Sequence, residues 1–205
     1  MTIDIHPLVI DNAIPKNLQE EVKEELKENA MWYFSKSAVG SNVKVDANDT
    51  NIEETPQMVH GLIHENQSTS PLSHLSDSIC NHVERMLDLE VKNTLRAKAN
   101  LLMKDEGSEG KYQPPHMDVP NKDCISIVYY VEDSDGDTVI FDKTVDKDPI
   151  DLNIVDTVEP KQGRIAVFPS RVFHASKKPT QNDTRTIINF ILQTDRAKIV
   201  DMFGI

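Results

Sequence analysis

CISIVYYVEDSDGDTVIF, residues 124–141, is the stretch that decides the fold. Its first eight positions are largely apolar, aromatic or β-branched, an Asp-Gly pair follows at 135–136, and a second apolar run begins at Thr138. Runs of this length and composition on either side of a turn dipeptide are typical of short strands. The stretch therefore predicts a strand, a turn and a second strand.

Outward from this stretch, similar β-rich runs recur with turn residues between them. A Pro-Lys-Gln-Gly turn stands at 160–163, and no helical pattern interrupts the runs. Seven or so strands with regular breaks predict a sandwich or barrel. The five further runs are ANLLM from 99, LNIVDTV from 152, RIAVFP from 164, VFHAS from 172 and RTIINFIL from 185.

The first hundred residues are instead typical of helices. From Pro15 onward, Leu18, Val22 and Leu26 recur four apart, which places one apolar stripe on a helix. A second helix is predicted to begin at Ser70-Pro71, as N-cap and first helical position. Its apolar stripe would comprise Leu72, Leu75, Ile79, Val83 and Met86.

Each of these helices is expected to pack one face against a sheet, so that the chain is one α+β domain. The polar segment 35–70 between the helices is long for a connection in a compact domain. It either crosses the surface or forms part of a binding rim, and residues 142–151 are a second candidate for such a rim.

Composition restricts the class of protein. No run approaches the ~18 apolar residues of a membrane helix, so no membrane-spanning role is expected. The first dozen residues hold two acids and no basic region, unlike a secretory signal. The two cysteines, Cys80 and Cys124, are too few for a disulfide scaffold. We therefore expect a cytoplasmic protein.

Charge is unevenly distributed along the chain, whose net charge is −12. Residues 101–160 hold 15 acids and 5 bases, whereas residues 161–205 hold 8 bases and 3 acids. The acidic surface repels phosphate backbones, so no nucleic-acid partner is expected. A small anion near the positive C-terminal quarter remains compatible with this distribution.

Three features of the β-rich half belong together: His116-Met117-Asp118, His174 and Arg185. On an extended chain, a His-x-Asp pair places both side chains on one side, where they can meet one ion. A histidine from a distant strand would complete a facial triad, which leaves positions open on Fe(II). Arg185, eleven residues after His174, offers a planar cation suited to a carboxylate. Each feature is weak alone, and the combination is much more specific.

This combination resembles the iron- and 2-oxoglutarate-dependent oxygenases of the prolyl hydroxylase type. The matching stretch covers residues 96–193, about half the chain, and short acidic members encoded by phages are the nearest group. It departs from the family pattern in having three residues between Tyr112 and His116. Its segments are GKYQPPHMD, CISIVYYVEDSDGDTVIF, PKQGRIAVFPSRVFHAS and TRTIINF.

The resemblance implies a double-stranded β-helix, a jelly-roll or cupin-like barrel with N-terminal helices packed on its major sheet. It implies a single oxygenase domain over 1–205, with a helical support and polar loop at 1–95, the β-helix at 96–193 and a tail at 194–205. It also implies that iron is held by His116, Asp118 and His174.

For 2-oxoglutarate, the resemblance implies that Arg185 pairs with the distal carboxylate, assisted by Tyr130, with Tyr112 in the same family motif. Strand alternation adds Asn189, whose side chain shares the face of Arg185. Asn189 is either a pocket residue or a hydrogen-bond partner for a neighbouring strand.

The implied reaction is hydroxylation of a C–H bond with O2, as 2-oxoglutarate is decarboxylated to succinate. Fe(II) and 2-oxoglutarate are the implied cofactors, with ascorbate as a stimulant. The favoured substrate is a prolyl residue in a peptide or protein, and a free amino acid or small metabolite is the alternative. From another class, the rival is a non-catalytic β-sandwich that serves as a binding or virion-associated module. Such a module would show no metal dependence.

Overall fold

The computed structural model describes residues 5–37, 51–144 and 152–205. Its helices are α1 (Lys16–Glu28), α2 (Ser73–Leu87) and α3 (Arg196–Phe203), and a short 3₁₀ turn spans Glu106–Ser108. The strands are β1 (Leu8–Ile10), β2 (Tyr33–Ser35), β3 (Gln57–His64), β4 (Gln67–Ser68), β5 (Asn93–Met103), β6 (Cys124–Tyr130), β7 (Thr138–Thr144), β8 (Ile154–Val158), β9 (Ile165–Pro169), β10 (Val172–Ser176) and β11 (Thr184–Gln193). The seven predicted strands correspond to β5–β11 and are confirmed.

These strands form two antiparallel sheets. The larger sheet has the order β1-β9-β6-β11-β5-β3-β2, with β4 paired to β3, and the smaller has the order β10-β7-β8. A buried apolar cluster joins them, with Val128 and Ile187 from the larger sheet and Ile140 and Val158 from the smaller. Two facing sheets around one core are the predicted α+β, double-stranded β-helix architecture.

The central strand β6 shows why the sheet has helices on its other face. All seven of its residues are buried, although neighbouring side chains of a strand point to opposite faces. Val128 faces the smaller sheet, whereas Ile125 and Ile127 belong to a second apolar cluster. That cluster includes Val22 of α1 and Ile79 of α2, so both predicted helices cover the larger sheet.

The N-terminal part differs from the prediction, because β1–β4 and the start of β5 lie within residues 1–95. Residues 57–64 form a full strand that pairs with β5 over most of its length. Helix α2 begins at Ser73, later than predicted, and the Ser70 hydroxyl accepts a hydrogen bond from Leu72 N. The predicted tail contains α3.

Two details of the helical and loop predictions also change. Met86 is 40% exposed and lies outside the apolar stripe of α2. Of the two candidate rim segments, residues 38–50 and 145–151 lie outside the described part of the chain. Among the described residues, no helix combines the length and apolar character that crossing a membrane requires.

Candidate metal centre

A cavity of about 180 Å³ opens between the two sheets, and it brings the predicted residues together. Strands β5 and β11 form one wall, β10 contributes a second, and the segment with His116 and Asp118 crosses between them. Its lining includes His116, Asp118, His174, Arg185 and Asn189.

The two histidines are placed by their own backbones. His116 N donates to His174 O at 2.9 Å, and His174 N donates to His116 O at 2.8 Å. This isolated antiparallel bridge sets the two imidazole centroids 4.5 Å apart. Residues 58 positions apart are therefore held as one local unit.

Backbone carbonyls also decide which ring nitrogen each histidine presents. His116 Nδ1 lies 3.1 Å from Pro114 O, and His174 Nδ1 lies 3.1 Å from Val172 O. A carbonyl only accepts, so each Nδ1 carries a proton, and in a neutral imidazole this leaves the lone pair on Nε2. Such an arrangement is usual for imidazole ligands of a metal.

Asp118 completes the group as a buried carboxylate, its side chain 2% exposed. Its Oδ2 lies 3.8 Å from His174 Nε2 and accepts a hydrogen bond of 2.6 Å from the Ser126 hydroxyl. Arg96 donates to Oδ1 at 2.6 Å. Burial alone would raise the pKa of Asp118, but His174, Arg96 and Ser126 outweigh it and hold the pKa below its ordinary value.

The protonation of His116 also suits a ligand. Burial, reinforced by neighbouring His174, lowers the pKa of His116 to about 3. The imidazole is therefore neutral near pH 7, as metal binding requires. One potential ligand atom from each of His116, Asp118 and His174 lies within 4.8 Å of the others. Two imidazoles and one carboxylate with open positions are the donor set of non-haem Fe(II).

Arg185 lies at another end of the same cavity and is 2% exposed. Its Nε donates to Gly136 O, and its Nη2 donates to the Thr138 hydroxyl at 2.8 Å. Burial lowers the pKa of this guanidinium. Because both hydrogen-bond partners are neutral, a carboxylate ligand would supply the charge compensation that a buried cation needs.

Tyr130 reaches Arg185 through Thr138. The fully buried phenol donates to the Thr138 hydroxyl at 2.7 Å, and its ring lies 5.9 Å from Arg185 Cζ. Burial raises the pKa of Tyr130 to about 12, so its hydroxyl remains a donor near neutral pH. Thr138 is thus shared by both residues.

Asn189 and Tyr112 have different surroundings. Asn189 Nδ2 donates to Asp118 Oδ2 at 3.3 Å, and its Oδ1 accepts a hydrogen bond of 3.3 Å from Arg96 Nη2 on the neighbouring strand β5. Tyr112 packs edge to face on Phe141, with ring centroids 5.5 Å apart, and borders a separate cleft. The structure brings Asn189 into the cavity and leaves Tyr112 outside its lining.

Sequence reasoning missed the polar residues that β5 contributes to the cavity wall, Arg96, Lys98 and Asn100. The signal was present in NTLRAKANLLM, where alternation places these residues on one face with Leu102. The strand was predicted from residue 99, which left Arg96 and Lys98 outside it.

Comparison with known proteins relates the residues of this cavity to a known family. The sequence model of the 2OG-Fe(II) oxygenase superfamily matches residues 101–193, the stretch that holds His116, Asp118, His174 and Arg185. Residues 101–193 of this chain therefore match the 2OG-Fe(II) oxygenase superfamily. A search of the curated proteins finds no match to the sequence.

Solved oxygenases share the fold. The non-haem alpha-ketoglutarate-dependent epimerase SnoN from nogalamycin biosynthesis is 11% identical, with a TM-score of 0.62 over 93% of this chain and 78% of that one. A Pseudomonas putida prolyl-4-hydroxylase is 15% identical, with a TM-score of 0.53 over 93% and 94%.

A Trichoplax adhaerens prolyl hydroxylase, solved with a hypoxia-inducible-factor peptide, is 17% identical, with a TM-score of 0.54 over 95% and 86% of the two chains. Identities this low establish the shared architecture alone.

The residues of this cavity fit Fe(II) and 2-oxoglutarate, the cofactors of the matched superfamily. The two imidazoles and the ionised Asp118 carboxylate match the metal, and buried Arg185 matches a dicarboxylate.

Proposed function

We propose that this chain is a 2-oxoglutarate-dependent dioxygenase that hydroxylates an unactivated C–H bond. One oxygen atom of O2 enters the product alcohol, the other enters succinate, and the C1 carboxylate of 2-oxoglutarate leaves as CO2. The observation that carries the proposal is the cluster of His116, Asp118 and His174 in one cavity with Arg185. We further propose that residues 1–205 act as a single oxygenase domain.

The metal ligands in this proposal are His116, Asp118 and His174. Bound Fe(II) supplies the activation of O2, a chemistry that no amino-acid side chain provides. His116 and His174 present their Nε2 atoms as ligands, while Arg96, Ser126 and Asn189 orient the Asp118 carboxylate. These hydrogen bonds would orient the ligand atoms for the metal.

Arg185 takes the distal carboxylate of 2-oxoglutarate in this proposal. Thr138 fixes the guanidinium, and Tyr130 fixes the Thr138 hydroxyl in turn. Val128 and Ile187 supply apolar lining between Arg185 and the metal ligands. This wall would exclude water from the chain of the diacid. Tyr112, which lies outside the cavity lining, serves packing.

For the substrate, we propose a prolyl residue of a peptide or protein. The support is the resemblance of the His-x-Asp, His174 and Arg185 motifs to prolyl hydroxylases, together with the shared fold of two such enzymes. A free amino acid or another small metabolite is the second candidate, because the same fold also carries an epimerase in antibiotic biosynthesis.

The test is an anaerobic titration of the purified protein with Fe(II) and then 2-oxoglutarate. The readout is the weak visible band of the chelated keto acid. We expect the band in the unaltered protein, its loss in His174→Ala and a weakened titration in Arg185→Ala. His82→Ala on α2 is the control, because His82 lies outside the cavity lining.

A negative titration would contradict the proposal. If the folded protein shows no band at millimolar 2-oxoglutarate, the oxygenase proposal is wrong and the binding-module alternative replaces it. If the band forms, substrates are then sought by the succinate that they cause to accumulate under air, with proline-containing peptides first.

A further inference from the structure

Strand β5 lines the cavity with a polar row. Arg96, Lys98 and Asn100 alternate along it and all face the cavity, followed by Leu102. Register places Leu102 beside Arg185, Asn100 beside Ile187 and Lys98 beside Asn189. The two cations of β5 therefore stand at the opposite end of the wall from Arg185.

Several polar atoms of this row lack a hydrogen-bond partner. Arg96 Nε and Asn100 Oδ1 are buried without a hydrogen-bond partner among the described residues. Asn100 uses its other side-chain atom, Nδ2, to donate to Gln57 Oε1 at 2.7 Å. Lys98 is half-buried and makes no side-chain hydrogen bond or ion pair within the described parts of the chain. Buried donors and acceptors without partners cost stability and point to a ligand that pairs them.

By its length, 2-oxoglutarate held at Arg185 would not reach Lys98. Lys98 lies four residues along β5 from Leu102, a separation of about 13 Å at the rise of a strand. A five-carbon diacid extends only about 6 Å at ordinary C–C bond lengths. With one end at Arg185, it ends near the metal ligands, and Arg96 and Lys98 remain available to a second molecule.

We propose that Arg96 and Lys98 hold a carboxylate of the primary substrate, and that Asn100 Oδ1 accepts a hydrogen bond from an N–H or O–H group of the same molecule. The inference rests on the proposed oxygenase function and deepens it. The unpaired Lys98 ammonium and the unused Arg96 Nε–H, next to an orphan acceptor, match an acid that bears a neighbouring donor, as in an amino acid or an acidic peptide segment.

Arg96 and Lys98 make the polar row positively charged, whereas the chain as a whole carries a net charge of −12. Residues 101–160 carry 15 acids and 5 bases, so the outer surface attracts cations. Inside the cavity, Asp118 is the metal-ligand candidate and already has Arg96 and Ser126 as partners. Lys98 is the nearby cation that has no ion-pair partner among the described residues. Recognition of an acid group therefore comes from the cavity wall and not from the surface.

The experiment uses the whole chain loaded anaerobically with Fe(II) and 2-oxoglutarate. The probes are the proteinogenic L-amino acids with their matched α-amides, and amidated proline-containing peptides with Asp or Asn next to the proline. Binding is measured by calorimetry and by the change that each probe causes in the visible band. The free amino acids form one arm, which tests for recognition of an α-carboxylate. The amidated peptides form the other arm, which tests for recognition of a side-chain carboxylate.

The variants are Lys98→Met, which removes the charge at similar length, and Lys98→Arg, which retains it. Lys27→Met on exposed α1 is the control. We expect one arm to bind in its acid form and not in its amide form. The Kd of that acid should rise at least tenfold in Lys98→Met and change less than threefold in Lys98→Arg and Lys27→Met.

Three results overturn the inference: no acid in either arm binds, the amides bind as tightly as the acids, or Lys98→Met binds the acid normally. Each leaves the visible band of the Fe(II)–2-oxoglutarate complex intact, so the proposed oxygenase function survives them. Absence of the band in the unaltered protein instead removes the proposed function itself. The band in Lys98→Met also shows that this variant keeps the folded site.

Discussion

Arg96 Nη2 donates a hydrogen bond of 2.6 Å to Asp118 Oδ1, although the two residues are 22 positions apart in the chain. Arg96 comes from β5, whereas Asp118 lies in the segment that precedes β6. The Arg96 side chain is 33% exposed and the Asp118 side chain 2%. A partly solvated cation thus holds a buried carboxylate in its ionised form and fixes its direction.

Replacing this cation is expected to weaken the metal site. In Arg96→Gln, we expect Fe(II) to bind about 10- to 100-fold more weakly, the usual effect of removing a group that orients a ligand. Anaerobic titration with Fe(II), without substrate, measures the change. Arg85→Gln on the exposed side of α2 is the matched control. An unchanged Kd in Arg96→Gln would show that Asp118 needs no such support.

Thr138 is expected to be essential for 2-oxoglutarate because its hydroxyl accepts hydrogen bonds from both Tyr130 and Arg185. Thr138→Val leaves two buried donors without an acceptor. We expect the free energy of unfolding to fall by about 1–3 kcal/mol, and the Kd for 2-oxoglutarate to rise about tenfold. Urea unfolding and the visible band measure the two effects.

Thr138→Ser keeps the hydroxyl and should restore most of the affinity, and Thr157→Val on exposed β8 should change neither quantity. Equal loss in Thr138→Ser and Thr138→Val would assign the effect to the lost methyl packing instead.

The structure leaves no room for a side chain at Gly136. A Cβ atom at this position would lie 2.7 Å from Arg185 Cδ, 2.7 Å from Lys177 O and 3.0 Å from Pro179 N. An added Cβ must therefore displace both the Arg185 side chain and the backbone at Lys177. In Gly136→Ala, we expect 2-oxoglutarate to bind at least tenfold more weakly, with Fe(II) affinity nearly unchanged.

Gly107→Ala is the control for this substitution, since its added Cβ makes only an ordinary contact of 3.4 Å with Asp105 Oδ1. A Gly136→Ala protein with normal 2-oxoglutarate affinity would show that Arg185 adapts without loss. A matching loss of Fe(II) binding would show that the disturbance extends to the metal ligands.

Asp135 is expected to make stability depend on pH. Its carboxylate accepts hydrogen bonds from the backbone N–H groups of Thr180, Gln181 and Asn182 in the turn before β11. Burial opposes ionisation, but these bonds outweigh it and lower the pKa from 3.8 to about 2. A pKa below that of the unfolded chain stabilises the fold above pH 4, and this contribution is lost as the pH falls toward 2.

At pH 7, Asp135→Asn should therefore unfold with about 1 kcal/mol less free energy, a modest figure because the carboxylate is partly solvated. The difference from the unaltered protein should shrink between pH 4 and pH 2. Urea unfolding across this range measures it, with Asp201→Asn as a control that shows no such trend. A pH-independent difference would mean that the amide replaces the carboxylate poorly for steric reasons.

The sequence alone predicted the strands of the β-helix and the residues of the candidate site. Period-two runs such as RTIINFIL and turn residues such as Gly163 act locally, because alternation and left-handed backbone depend on a few neighbouring residues. The side chains of His116, Asp118, His174 and Arg185 were recognisable because their types, order and spacing are constrained by metal and carboxylate chemistry.

Only the tertiary structure decided which polar residues share the cavity. The segment QMVHGLIH has no clear strand period and becomes β3 through its pairing with β5. Arg96, Lys98 and Asn100 line the cavity through that pairing, whereas Tyr112 packs on Phe141 outside the cavity lining. Burial and cross-strand register are properties of distant chain segments brought together, so a linear pattern does not contain them.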